Sequence, residues 1–587
     1  MNKSDNPIYR KEKKKNKAAS RCEMECRTLH TYKTMPIIMK ALKLFIGMMG
    51  LALAASSCCR RTVSEACVTA PEISASSSVA VVSTDKGKVA GYIENGIFIY
   101  KGIPYARAER FQPPHPVESW DGIRSCRQYG PVCPQQDRQG WLNDEIAFAF
   151  NWDDGFSSED CLRLNIWTPK IGDNTKRPVM VGLHGGGYSA GSGQELPSYD
   201  GTSLAASEDV VVVSINHRLN VLGFLDLSAF GEKYAKSGNA GLLDMVAALQ
   251  WVKDNIAGFG GDPDNVTIFG QSGGGGKVTT LMATPAAKGL FHKAIVQSGS
   301  MLQTMESRYS RKIGAATVRN LGLNASNIDE IEKVPYRELL AAGEKAVAEV
   351  EKEARKDGIA SFIFGWAPTV DASVLPSQPF DPQAPAMSAD IPMIIGTTKH
   401  EFSATTYAPQ LRNISKEDAV KLLEASYGDA TSRFLDLVGK AYPGYKPADL
   451  IDLDFTFRPS ALEQAARKCR QNGAPVYLYM FCWESPVLDG ILRSTHCMEI
   501  PFVFNNAGRH ASMTGGGKQA LELAAKMSHS WANFARTGNP NTEDLPEWEE
   551  FNCTDRATML FDNESRIAHN HDKELIDFIR TFPTRGF

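Results

Sequence analysis

The sequence predicts an α/β fold in which a mostly parallel central sheet is flanked by helices. Residues 209–216 (DVVVVSIN) and 393–398 (MIIGTT) form largely apolar runs, which are typical of strands covered on both faces. Residues 242–256 have apolar side chains at helical spacing. Strands that alternate with helical stretches indicate a parallel sheet, because parallel strands need crossover connections. The other predicted strands are residues 177–187, 266–269, 294–300 and 476–483.

The composition is ordinary for a soluble globular protein. The 587 residues exceed one average domain, although an α/β fold can build a single core over that length. The chain is 43% hydrophobic and 22% charged, which excludes the disordered, collagenous and polytopic membrane classes. A charged helical region, residues 310–356, is interpreted as an insertion covering one face of the sheet.

Positive charge is concentrated at the N-terminus. Residues 1–58 contain twelve Lys and Arg against four acidic residues. The rest of the chain therefore carries a net charge of −11, since the whole chain carries −3. Phosphate binding needs clustered positive charge, so we expect no nucleic acid partner.

The same N-terminal segment resembles a secretory signal. Residues 39–58 (MKALKLFIGMMGLALAASSC) have a short basic start, an apolar run and then small residues. The run is too short for a membrane span of roughly 20 residues. We therefore expect an exported protein, which is periplasmic, secreted or attached to the cell envelope by a lipid at Cys58. A membrane anchor or a buried helix is the alternative.

These features divide the chain into three parts. Residues 1–58 are an N-terminal extension plus the signal, with Met39 a possible true start. Residues 59–84 are rich in Ser, Ala and Val and are predicted to be a flexible linker. Residues 85–587 are predicted to form the α/β domain.

The pattern Gly-x-Ser-x-Gly, which is typical of a hydrolase nucleophile, occurs twice, at Ser189 and at Ser272. A nucleophilic serine of this type needs a strand before it and a helix after it, so that its hydroxyl stands on a sharp turn. Ser272 follows VTIF and precedes GGKVTTLMAT, whereas Ser189 leads into the turn-rich SGQELPSYDG. We expect Ser272 to be the nucleophile. The run HGGG at 184–187 is a second signal, because glycines allow backbone N–H groups to face a developing oxyanion.

Together these motifs resemble the type-B carboxylesterases, the α/β-hydrolase family that includes the cholinesterases and para-nitrobenzyl esterase-like proteins. The matching segments are KGIPYA, EDCLRLN, HGGGY, GNAGLLD, GGDPDNVTIFGQSGG, IVQSGS, THCMEIPFVF and WANFARTGNPN, between about residue 85 and residue 583. The resemblance implies an α/β-hydrolase catalytic domain over residues 85–587, with helical insertions over the active site. It also suggests a bacterial exported member.

The resemblance implies roles for individual residues. The triad would run Ser, Glu, His in chain order, and the oxyanion donors would be Gly186, Gly187 and Gly273. His496 in STHCMEIPFVF matches the family's histidine, whereas the other histidines lie in loops, at strand ends or in the polar tail. Glu401 in GTTKHEF is the expected acid, although the family usually has Asp-Glu-Gly there; Asp371 is the alternative.

A disulfide between Cys133 and Cys161 is also implied by the family and suits an exported protein. Two free buried thiols are the alternative.

We therefore expect a serine carboxylesterase that forms an acyl-enzyme and requires no metal or organic cofactor. Its partner would be a small-molecule ester, apolar or aryl. A silent binding or adhesion member, or a hydrolase of amides, carbamates or thioesters, is the alternative. Gln271 replaces the glutamate of cholinesterases, which disfavours cationic choline esters, and Gly273 replaces an alanine, which should loosen the turn slightly. Candidate substrate-lining aromatics are Trp141, Trp152, Tyr188, Trp366, Phe402 and Tyr407.

Overall fold

The computed structural model describes residues 72–136, 144–357 and 365–582. Its strands are β1 (Ile73–Ser74), β2 (Val81–Ser83), β3 (Lys88–Ala90), β4 (Tyr92–Glu94), β5 (Ile97–Pro104), β6 (Ile123–Ser125), β7 (Arg163–Thr168), β8 (Arg177–Leu183), β9 (Val211–Ile215), β10 (Gly261–Gln271), β11 (Lys293–Gln297), β12 (Met305–Glu306), β13 (Thr369–Val370), β14 (Met393–Thr398), β15 (Val476–Phe481), β16 (Thr558–Phe561) and β17 (Arg566–Ala568).

The helices lie between these strands and after them. They are α1 (Asp144–Phe150), α2 (Thr202–Glu208), α3 (Asn220–Phe224), α4 (Ala240–Asn255), α5 (Gly273–Leu281), α6 (Ser307–Asn320), α7 (Tyr336–Ala354), α8 (Ala404–Tyr407), α9 (Lys416–Tyr427), α10 (Thr431–Ala441), α11 (Asp449–Asp452), α12 (Phe457–Cys469), α13 (Ile500–Val503), α14 (Ala511–Thr514), α15 (Lys518–Thr537) and α16 (Lys573–Ile579).

Twelve strands form one sheet in the order β1-β4-β5-β7-β9-β8-β10-β11-β14-β15-β16-β17. All neighbours from β9 to β16 in this order are parallel, and the pairs at both ends are antiparallel. Every residue of β9, β11, β14 and β15 is buried, which explains their nearly continuous apolar sequences. The predicted α/β-hydrolase fold, with a mostly parallel sheet, is confirmed.

The folded part begins earlier in the chain than the sequence suggested. Strands β1 and β2 lie within the predicted linker 59–84, where β1 pairs with β4 and β2 pairs with β3. Ala80 and Val82 are buried there. Strands of two and three residues are too short to show a hydrophobic period, so the sequence pattern could not reveal them.

The predicted helical insertion consists of α6 and α7, which contact each other. The predicted signal and Cys58 lie outside the described residues. Among the described residues, no helix combines the length and the apolar character that a membrane crossing requires.

Candidate active site

Ser272 stands on the turn between β10 and α5. Its backbone has φ 58° and ψ −126°, and a positive φ costs a residue with a side chain on the order of 1–3 kcal/mol. The flanking glycines allow the turn to close. A Cβ at Gly270 would lie 2.5 Å from the Leu183 carbonyl oxygen, and one at Gly274 would lie 2.0 Å from the same atom. Ser189, by contrast, lies in a turn that no α-helix follows directly.

The HGGG segment leaves the end of β8 and passes beside this turn. Gly186 and Gly187 have φ of 81° and 62°, values that favour glycine. A Cβ at Gly273 would lie 2.3 Å from the Gly187 carbonyl oxygen and 2.4 Å from its nitrogen. Among the described residues, none accepts a hydrogen bond from the N–H of Gly186, Gly187 or Gly273. Three backbone donors, on the turn itself and on the loop that passes beside it, are therefore unused.

This close approach corrects one expectation. Gly273 was expected to loosen the turn, but the backbone of Gly187 occupies the space that a side chain at position 273 would fill. The glycine at this position therefore brings the two loops into contact.

Glu401 and His496 form a buried pair. A Glu401 carboxylate oxygen lies 2.5 Å from His496 Nδ1, and the other accepts the Thr398 N–H at 2.8 Å. The His496 N–H and the Thr495 hydroxyl both donate to the Glu401 carbonyl, at 2.9 and 3.0 Å. The loops after β14 and β15 are thus joined through both backbone and side chain, and the imidazole is held in one orientation.

Ser272 is not hydrogen bonded to His496 in this structure. The Gln271 amide nitrogen lies against the imidazole, 3.2 Å from Nδ1 and 3.4 Å from Nε2. Hydrolases without substrate often hold the serine–histidine contact long and close it on binding. The alternative acid Asp371 accepts N–H groups of Ser373 and Val374 and so fixes its own loop.

Comparison with known proteins shows the family to which the chain belongs. A family model described as the carboxylesterase family matches residues 78–438 and 449–579. The chain belongs to this family. Para-nitrobenzyl esterase of Bacillus subtilis (strain 168) is 36% identical over 515 residues, which are 86% of this chain and 99% of the relative. Phenmedipham hydrolase of Pseudarthrobacter oxydans is 32% identical over 497 residues, which are 82% and 95% of the two chains.

Solved structures give the same result. An esterase from Clostridium hathewayi, described as able to hydrolyse aliphatic aromatic polyesters, has a TM-score of 0.78 at 36% identity and covers 88% of this chain and 100% of its own. A thermophilic PNB esterase has a TM-score of 0.69 at 36% identity, with 85% and 99% coverage. The predicted family and the predicted enzyme class, a carboxylesterase, are confirmed.

Two further acids of this carboxylesterase lie beside Glu401, and the sequence analysis missed both. Burial, and then the charge of Glu401, raise the pKa of Glu499 and the pKa of Asp454 to about 7. Glu499 is buried, accepts one long bond from the Gln297 amide at 3.3 Å and has an unpartnered second oxygen. Its place three residues after His496 was the only available signal.

An exposed aromatic ring adjoins the histidine. Phe402 is 58% exposed, and its ring centroid lies 4.4 Å from that of His496. Phe457 lies 5.3 Å from the same imidazole, and Tyr407 lies 5.8 Å from Phe402. We call Phe402, Phe457 and Tyr407 the aromatic cluster. The cluster places aromatic rings, one of them largely exposed, beside the imidazole of His496.

The other proposed aromatics serve the structure or lie elsewhere. Tyr188 and Trp366 are buried and bonded to Thr280 and Glu344. Trp152 stacks on Phe150 with a centroid separation of 4.3 Å. Trp141 lies outside the described residues.

The predicted disulfide is not present. Cys133 and Cys161 are both free and buried. The two thiols are nevertheless neighbours. A hydrogen bond between them, together with burial, raises the pKa of Cys161 well above its ordinary value. The structure therefore corresponds to the alternative of two free thiols.

One largely buried group of side chains has the composition of a metal site. His400, Asp449 and Glu484 offer ligand atoms close to one another. Arg493 donates to both carboxylates, and His400 Nε2 lies 3.0 Å from Asp449. The guanidinium already supplies the positive charge that balances these acids, so the group does not fit a cation.

Proposed function

We propose that Ser272 is the nucleophile of this carboxylesterase, that His496 is its general base and that Glu401 orients the histidine. The observation that carries the proposal is the set of three unused N–H groups, of Gly186, Gly187 and Gly273, around a serine on a strained strand–helix turn. Such donors are suited to an oxyanion that forms on the serine's target carbonyl.

The reaction follows from these positions. His496 takes the Ser272 proton while the serine oxygen bonds to the ester carbonyl carbon, and the carbonyl oxygen becomes an oxyanion held by the three N–H groups. The ester C–O bond then breaks, and the alcohol leaves with the proton from His496. Water attacks the acyl-enzyme by the same route and releases the acid. Glu401 stabilises the imidazolium through Nδ1 in both halves.

The substrate we propose is an ester of an apolar or aryl alcohol. The leaving oxygen receives its proton from His496, so the alcohol group must lie beside that imidazole. The aromatic cluster is the apolar surface at this place. The names of the relatives, which mention para-nitrobenzyl esterase and aliphatic aromatic polyesters, support the same substrate class.

The chain supplies a matched pair of variants for the test. Ser272→Ala should fold, lose hydrolysis of short-chain aryl esters and lose labelling by a fluorophosphonate. Ser189→Ala removes the serine of the second Gly-x-Ser-x-Gly motif and should keep both properties. Unchanged hydrolysis by Ser272→Ala would show that another group is the nucleophile. A wild-type protein that is neither active nor labelled would instead be a silent binding member, and faster turnover of amides or thioesters than of esters would change the substrate class.

We also propose that the protein is exported. The support is the sequence of residues 39–58, with a lipid at Cys58 as one outcome. An oxidising compartment would allow the neighbouring thiols of Cys133 and Cys161 to form the disulfide, with an oxidant taking up two electrons. Cell fractionation of the wild type and Cys58→Ser, with a fatty-acid label, tests these points. A cytoplasmic, unlabelled protein would contradict them.

A further inference from the structure

Lys277 is a buried lysine directly behind the oxyanion loop, which we define as residues 184–187. It lies on α5, five residues after Ser272, and its side chain has no exposure to solvent. Its Nζ donates to the His184 carbonyl at 2.7 Å and reaches the Gly185 carbonyl at 3.4 Å. His184 Nδ1 lies 2.9 Å from the same Gly185 oxygen.

The surroundings of Lys277 make its burial unfavourable in itself. Among the described residues, no carboxylate forms an ion pair with it, and the Tyr188 ring centroid lies 5.5 Å away. Burial lowers the pKa of Lys277 to about 7, with the more distant charge of Glu195 acting in the opposite direction. A methionine could fill the space without this desolvation cost. The lysine is therefore explained by its donors, not by packing.

The geometry of the peptide bond connects these donors to the reaction. In a trans peptide, the carbonyl of one residue and the N–H of the next point in opposite directions. The Gly185 carbonyl and the Gly186 N–H belong to one such unit. Donors that fix the Gly185 oxygen on the side of Lys277 therefore turn the Gly186 N–H to the opposite side of this peptide unit.

We infer that Lys277 is a positioning residue that holds the oxyanion loop through the His184 and Gly185 carbonyls, so that the Gly186 N–H faces the oxyanion. The inference rests on the proposed function, because it needs an oxyanion at Ser272. The neutral amine has two N–H groups. Both contacts therefore persist when Lys277 loses its proton. The other titratable groups near it are His184, Glu195 and the buried His217, whose pKa is lowered by burial and by the charge of Lys277.

The test compares Lys277 with a second buried lysine of the same type. Lys468 also has no exposure, and its Nζ donates to the Ser388 and Ala389 carbonyls at 2.6 and 2.8 Å. Lys277→Met and Lys468→Met are measured for kcat, KM, inhibition by an aryl trifluoromethyl ketone and thermal unfolding. The ketone adds to the serine and forms an oxyanion, so its inhibition constant reports the oxyanion hole directly.

We expect Lys277→Met to lose at least tenfold in kcat and at least tenfold in affinity for the ketone, with KM changed less than threefold. Lys468→Met should change neither kinetic property by more than twofold. Lys277→Gln keeps one donor group, so its kcat and its affinity for the ketone should lie between those of the wild type and those of Lys277→Met. If Lys277→Met does not fold, Lys277→Gln is compared with the wild type instead.

Equal ketone affinity in the wild type and both Lys277 variants would overturn the inference while leaving the esterase proposal intact. A wild type that neither hydrolyses esters nor binds the ketone would overturn both together.

Discussion

Adding one methyl group at residue 273 tests the contact between the oxyanion loop and the turn that carries Ser272. In Gly273→Ala the new Cβ would lie 2.3 Å from the Gly187 carbonyl oxygen and 2.4 Å from its Cα and nitrogen. Carbon atoms in contact prefer about 3.5–4.0 Å, so the Gly187 backbone must retreat by about 1 Å. No flexible side chain is available to yield in its place.

The expected loss follows from that displacement. A misplacement of about 1 Å costs on the order of 100-fold in rate, and loss of one oxyanion donor costs about 100- to 1,000-fold in kcat. We therefore expect Gly273→Ala to lose about 100-fold in kcat on a short-chain aryl ester, with a much smaller change in KM.

Gly276→Ala is the matched control. It places the same methyl group on the same helix α5, where the nearest atoms, of Met301 and Tyr188, are 3.5 Å away. This is an ordinary contact, and alanine in a helix is more stable than glycine by up to about 1 kcal/mol. The control should keep wild-type kinetics and unfold at the same or a higher temperature. A kcat of Gly273→Ala within threefold of wild type would refute the reasoning.

Two further predictions concern the surroundings of His496. Phe402→Ala should lower the ratio of kcat/KM for benzyl acetate to kcat/KM for cyclohexylmethyl acetate by about 3- to 10-fold, because aromatic pairs contribute about 0.5–1.5 kcal/mol beyond the area they bury. Phe402→Trp should keep this ratio, and so should Leu521→Ala, which changes another exposed residue. An unchanged ratio in Phe402→Ala would show that the aromatic cluster does not bind the alcohol group. Glu499→Gln should gain stability over the wild type as pH rises from about 4.5 to about 7. In that range the unfolded wild type loses its Glu499 proton while the folded form keeps it, so the wild type loses up to about 3 kcal/mol. Urea titrations that give parallel pH curves for the two proteins would contradict this.

Much of the fold follows from local sequence. Residues 209–216, 393–398 and 476–483 contain the strands β9, β14 and β15, because strands buried on both faces need apolar side chains at every position. Strands β1 and β2 were missed since their pairing partners, not their own two or three residues, determine that they are strands. The disulfide was inferred from the family and the expected compartment, whereas both thiols are free in the structure.

The sequence by itself determined the family and the fold class. It also favoured Ser272 over Ser189 as the predicted nucleophile, because glycine spacing, a preceding strand and a following helix are all local properties. Only the tertiary structure decided that Gly187 occupies the space beside Gly273, that Lys277 holds the loop carbonyls and that Glu499 lies beside Glu401. These contacts join segments far apart along the chain, and their effects on pKa and on backbone direction depend on distance and burial. The distances between these segments and the burial of their side chains are set only when the folded sheet brings the segments together.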